Sequence, residues 1–102
     1  MIEVETPRGT ARVHRYRVDN PRLQLVLGHG AGGSVTAPDL QAVTKAAVAA
    51  GVSVALVEQP YRVLGRKSAP PAPHLDEAWI AVIAALKDDV PLVCGGRSSG
   101  AR

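Results

Sequence analysis

The chain has 102 residues and a formal net charge of +3; 46% of the residues are hydrophobic and 21% charged. That is the size of one domain and the composition of a globular fold, not of a disordered tail. No apolar run approaches the ~20 residues that cross a bilayer, and the single cysteine, Cys94, excludes an intramolecular disulfide framework and a cysteine-based zinc cluster.

The N-terminus, Met1-Ile2-Glu3-Val4-Glu5, lacks the basic segment that opens a secretory signal, so a cytoplasmic setting is expected. Residues 2–6 and 10–18 read as two short strands, joined by the turn residues Pro7-Arg8-Gly9 into a hairpin over 2–18. In the second strand Ala11 and Val13, with Arg15, alternate with Arg12, His14 and Tyr16, which predicts one wet face. Five arginines fall between Arg8 and Arg22. With no aromatics interleaved for base stacking, they read as a solvated face and not as a nucleic-acid surface.

A βαβαβ core is predicted over 22–102. Leu23 to Leu27 is a compact apolar run suited to a buried parallel strand. Gly28-His29-Gly30-Ala31-Gly32-Gly33 follows, a backbone that must turn sharply. A helix is predicted next, with Thr36 as N-cap, Pro38 in the first turn and Asp39 completing a near capping box. Its expected apolar stripe is Leu40, Val43, Ala47 and Ala50, and Gly51 stops it. Val52 to Val57 is another buried strand, closing at Glu58. Residues 59–74 carry four prolines and read as a long loop of the kind that often holds function. A second helix is predicted from Leu75 to Asp88, with Leu75, Trp79, Val82, Ile83 and Leu86 on one face and Asp76 and Glu77 near its positive end. Leu92 to Cys94 is a last strand, in which Cys94 is expected to pack as a small hydrophobe. The order β-β-β-α-β-α-β predicts a single α/β domain over 1–102 with a mostly parallel sheet.

Two motifs carry the chemistry. Gly96-Arg97-Ser98-Ser99-Gly100 fits G-x-S-x-G directly after a buried strand. There a strand ends, turns tightly and enters a helix, and the turn lifts the serine hydroxyl above the sheet. Gly96 and Gly100 leave room where a Cβ would collide. Ser98 is the candidate nucleophile, and the Ser99 backbone N–H is a candidate oxyanion donor. His29-Gly30-Ala31-Gly32-Gly33 is the second motif. Ala31, with Gly32 as second choice, is the candidate for the other oxyanion N–H. Gly30 and Gly33 give the loop its shape, and His29 is expected to order that loop and not to act as base. Arg97, Tyr61, Arg62 and Arg66 are candidate substrate contacts.

With these residues in place, the chain resembles the N-terminal half of an α/β-hydrolase. It is most similar to the dienelactone-hydrolase-like and testis-expressed-protein-30-like small hydrolases. The resemblance rests on Leu25-Val26-Leu27-Gly28-His29-Gly30-Ala31-Gly32-Gly33, on Gln59-Pro60-Tyr61, on Gly65-Arg66, on Trp79 and on the segment from Gly95 to Arg102. It implies a partial α/β-hydrolase fold cut at the nucleophile elbow. It also implies a serine hydrolase of esterase or acyl-hydrolase type, with Ser98 as nucleophile and a small-molecule acyl substrate, using neither metal nor organic cofactor. No nucleic-acid or membrane partner is expected.

In this fold the acid and the histidine follow the serine, and none follows Ser98 here. Upstream, His14 lies on the hairpin, and His74 starts the second helix as a surface or near-cap residue. Glu58 closes its strand on the ligand side, free to approach the site or to pair with Arg62 or Arg66. The 102-residue chain is therefore expected to be a fragment with little triad-type turnover. Its last strand is left as an open edge through which chains could associate. Two alternatives remain at this stage. One is a catalytically silent hydrolase-fold scaffold. The other is a dinucleotide-binding module, in which Gly28, Gly30 and Gly33 form G-x-G-x-x-G and Glu58 takes the ribose.

Overall fold

The computed structural model describes residues 2–29, 35–66, 70–87 and 90–96. Strands β1 (Ile2–Thr6) and β2 (Gly9–Tyr16) form the N-terminal hairpin. They are followed by β3 (Gln24–Gly28), helix α1 (Pro38–Ala49), β4 (Ser53–Glu58), the single turn α2 (Pro60–Val63), helix α3 (Ala72–Leu86) and β5 (Leu92–Gly96). The sheet order is β1-β2-β4-β3-β5. β2 pairs antiparallel with β1 and β4, whereas β3 pairs parallel with both β4 and β5. The hairpin therefore lies beyond β4, and β3 is central to the parallel part.

The two-residue side-chain period of the strands sorts the core onto both faces. Ala55 and Val57 of β4 point with Ala11, Val13 and Val26 against Trp79, Val82 and Leu86 of α3. Val54 and Leu56, one residue out of phase, join Leu27 against Leu40 of α1 and Val35 before it. β4 is covered on both faces, which is why its sequence runs apolar without alternation.

Several sequence expectations change. The N-cap of α1 is Ala37 and not Thr36, with no side-chain cap. Gln41 Nε2 donates to the Val35 carbonyl instead, at 2.9 Å. The buried residues of α1 are Leu40 and Thr44, while Val43 is 45% exposed. The true stripe is Leu40, Thr44 and the partly buried Ala47, and Thr44 is tolerated in it because its hydroxyl donates to the Leu40 carbonyl at 2.7 Å. Gly51 follows the last helical turn at φ +82°, the left-handed stop the sequence predicts.

The 59–74 segment is not one long loop. Its prolines start helices, because proline fits a first turn that needs no N–H donor. Pro60 opens α2, and the first turn of α3 begins at Ala72. Asp76 and Glu77 consequently sit beyond the first turn of α3, and Glu77 is taken by Arg8 of the hairpin turn at 2.9 Å. Cys94 is exposed and not packed inside. β5 is an edge strand among the described residues, and of its side chains Leu92 packs on the cluster beneath α3, whereas Val93 and Cys94 are exposed. Partial desolvation still pushes the Cys94 thiol pKa up. Among the described residues no helix is long and apolar enough to cross a membrane.

Candidate active site

β3 and β4 run parallel, so their C-terminal ends share one rim of the sheet, where open α/β folds place their ligands. His29 follows β3 and Gln59 follows β4. The Gln59 backbone N–H donates to His29 Nε2 at 3.1 Å. His29 is 2% exposed, and its ring meets Tyr61 edge-on, with centroids 5.8 Å apart at 64°. An Nε2 that accepts must be unprotonated, so the geometry assigns the tautomer with hydrogen on Nδ1. His29 thus ties the start of the glycine-rich segment to the end of β4.

After Tyr61 the chain folds back on itself. The Arg66 N–H donates to the Tyr61 carbonyl at 2.9 Å, and Arg62 Nη1 donates to the Arg66 carbonyl at 3.1 Å. Arg62 thereby braces the loop backbone. Tyr61 and Arg66 instead line a pocket of about 200 Å³ together with Gln59, His74, Leu75 and Ala78. Among the residues expected to contact substrate, Tyr61 and Arg66 are therefore brought together and Arg62 is not. His74 is half-buried in the first turn of α3, near the cap as expected, and lines this pocket. Sequence reading missed Gln59, Leu75 and Ala78 as pocket lining. The signal for Gln59 was the alternation of Ala55 and Val57, which continues onto the α3 face.

Glu58 lies on the other face, in phase with Leu56. Its carboxylate is 3.9 Å from His14 Nε2 on β2, so it meets neither Arg62 nor Arg66. This follows from the β2–β4 register, in which Leu56 sits opposite His14 and Glu58 opposite Arg12.

β5 brings the second motif to the same rim. Gly96, its last residue, is registered against Gly28, the last residue of β3. The two motif segments therefore leave adjacent strands at the same level. Ser98, Ser99, Arg97 and Gly100, and likewise Gly30, Ala31, Gly32 and Gly33, lie outside the described residues. No group of three or more His, Cys, Asp or Glu side chains that could hold a metal ion occurs among the described residues.

Residues 21–102 match the family described as alpha/beta hydrolase domain, and the chain belongs to that family. Solved structures share its fold. A protein from Butyrivibrio proteoclasticus with ferulic acid bound superposes with a TM-score of 0.79 at 18% identity, over 98% of this chain and 43% of its own. A serine hydrolase without a lid from Xanthomonas campestris gives a TM-score of 0.73 at 16% identity, over 97% and 50%. A cold-adapted esterase from an Arctic intertidal metagenomic library gives 0.72 at 17% identity, again over 97% and 50%. The chain thus spans half or less of the length of these similar structures. No curated protein sequence matches it.

Proposed function

We propose that this chain is the nucleophile-bearing half of a serine hydrolase that cleaves small esters or related acyl bonds. Ser98 Oγ attacks the substrate carbonyl, and the backbone N–H groups of Ala31 and Ser99 receive the oxyanion. Collapse of the tetrahedral intermediate breaks the acyl–oxygen bond. The alcohol departs with the proton that Ser98 Oγ gave up on attack, and water then releases the acid from the acyl-enzyme and returns a proton to Oγ. In this fold the acid and base follow the nucleophile in chain order, so His14, His29 and His74 take no triad role. His29, whose Nε2 already accepts a hydrogen bond, ties the residue before the glycine-rich segment to the end of β4.

The observation that carries this reading is the Gly28–Gly96 register. It starts the glycine-rich segment and the G-x-S-x-G segment side by side, as a shared oxyanion site requires. The similar structures include a serine hydrolase and an esterase, which favours acyl chemistry. The dinucleotide alternative loses ground because α1 begins only at Pro38, several residues past the glycines, where a pyrophosphate would need the helix end directly. The proposal extends to a cytoplasmic protein of the dienelactone-hydrolase-like group.

Labelling with excess fluorophosphonate, read by intact mass, tests it. One adduct is expected, formed slowly without a base and absent in Ser98→Ala. A folded chain that acquires no adduct would leave the catalytically silent scaffold as the better reading.

A further inference from the structure

We infer that the pocket walled by Tyr61, Leu75 and Ala78 is a binding site for a small hydroxy-carboxylate, an acid with a compact apolar body and a hydroxyl donor. The inference does not depend on Ser98.

Size comes first. At about 200 Å³, the pocket exceeds the roughly 150 Å³ that accepts a benzene ring in an apolar protein cavity. It therefore takes a ring-sized body with one or two small polar groups. The Tyr61 ring, Leu75 and Ala78 provide the apolar wall.

Two polar features select the ligand. Arg66 lines the pocket, is permanently charged, and makes no ion pair among the described residues. Arg8, the other arginine of the pocket, is already held by both carboxylate oxygens of Glu77, at 2.9 and 3.2 Å. Arg66 is thus the cation available to a carboxylate, with His74 beside the same pocket as a further nitrogen. The second feature is Gln59, which is 9% exposed. Its Oε1 is buried with no hydrogen-bond partner among the described residues. A buried amide oxygen left unpaired is costly, and because Gln59 lines the pocket, rotation of its amide toward the cavity would let a ligand O–H satisfy it. Since Gln59 holds His29 through its backbone N–H, its side chain is not needed for that link. An acid lacking a donor leaves Oε1 unpaired, and a neutral phenol ignores Arg66; a hydroxy-carboxylate meets both.

The probe is para-hydroxybenzoate, titrated into the nitrogen-labelled 102-residue chain and followed by amide shifts. Saturable shifts are expected at Gln59, Tyr61, His74 and Ala78, weakening as salt is added. Benzoate, which lacks the hydroxyl, is expected to bind about fivefold more weakly, the worth of one neutral hydrogen bond. The neutral amide para-hydroxybenzamide is expected to lose about fivefold as well, the upper end for a solvent-exposed ion pair. Arg66→Ala should erase the preference for acid over amide. Gln59→Leu should erase the preference for para-hydroxybenzoate over benzoate. Absence of saturation overturns the inference, as do shifts centred on Ile80 and Lys87, or an Arg66→Ala chain that binds the acid unchanged. Because fluorophosphonate labelling reads Ser98 alone, failure of this site and failure of the hydrolase reading are separately visible.

Discussion

Protonating His29 at Nε2 would set an N–H against the N–H of Gln59. The residue is instead held as an acceptor, buried between the ends of β3 and β4 and edge-on to Tyr61. One side chain thereby fixes where the glycine-rich segment begins. His29→Ala removes the acceptor, strands a buried donor and opens a cavity. The sum of those two effects predicts a loss of about 2–4 kcal/mol in stability, measured by urea unfolding. A loss below about 0.5 kcal/mol, the range of ordinary surface substitutions, would mean that His29 does not bind the two strand ends together. The imidazole of His29 was visible in the sequence as part of His29-Gly30-Ala31-Gly32-Gly33. Its partner was not, because a backbone N–H thirty residues later leaves no mark in residue type.

At the scale of elements, the helices were legible and their faces less so. α3 buries Leu75, Trp79, Val82 and Leu86 as its spacing predicts, and adds Ala78. α1 does not use Val43. A stripe read from apolar residues alone prefers valine to threonine, but a threonine in a helix can return its hydroxyl to the carbonyl one turn back and then lie buried. Leu40→Ala is accordingly expected to cost about 2–4 kcal/mol, and Val43→Ala within about 0.5 kcal/mol of zero. Thermal unfolding of the pair checks the orientation of α1, since equal losses would mean that the helix is rotated from the one described. The proline-rich stretch shows a related ambiguity. Proline reads as a helix breaker from within a helix and as a helix starter at its first turn, and Pro60 acts as a starter.

For the whole molecule, the sheet order sets which surfaces are finished. β1 and β5 are its edges among the described residues. On β5, Val93 is 48% exposed and Cys94 is exposed beside it. An apolar edge with unpaired backbone groups invites strand pairing between chains. The 102-residue chain is therefore expected to associate as its concentration rises. Val93→Lys should shift it toward monomer, because a charged side chain on an edge strand opposes pairing. Sedimentation velocity of both chains over a concentration series reads this, and identical profiles would remove β5 as the contact.

Local pattern alone carried the alternation of strands and helices and the two motif segments, each of which follows a strand. These are local properties, carried by periodicity, glycine and proline, and they need no knowledge of what packs against what. The same pattern read β5 as buried, where Val93 and Cys94 are exposed. Which side chains meet was fixed by packing between distant segments. That packing put β4 between β2 and β3, so that Glu58 faces His14 on a strand more than forty residues earlier and not the nearby arginines. It folded Arg62 back onto its own loop and set Arg66 at the pocket that Gln59, His74 and Leu75 also line. It also set Gly96 level with Gly28. Strand order, register and loop return are fixed by contacts between distant segments, and a distance between residues far apart in the chain is written only when the chain has folded.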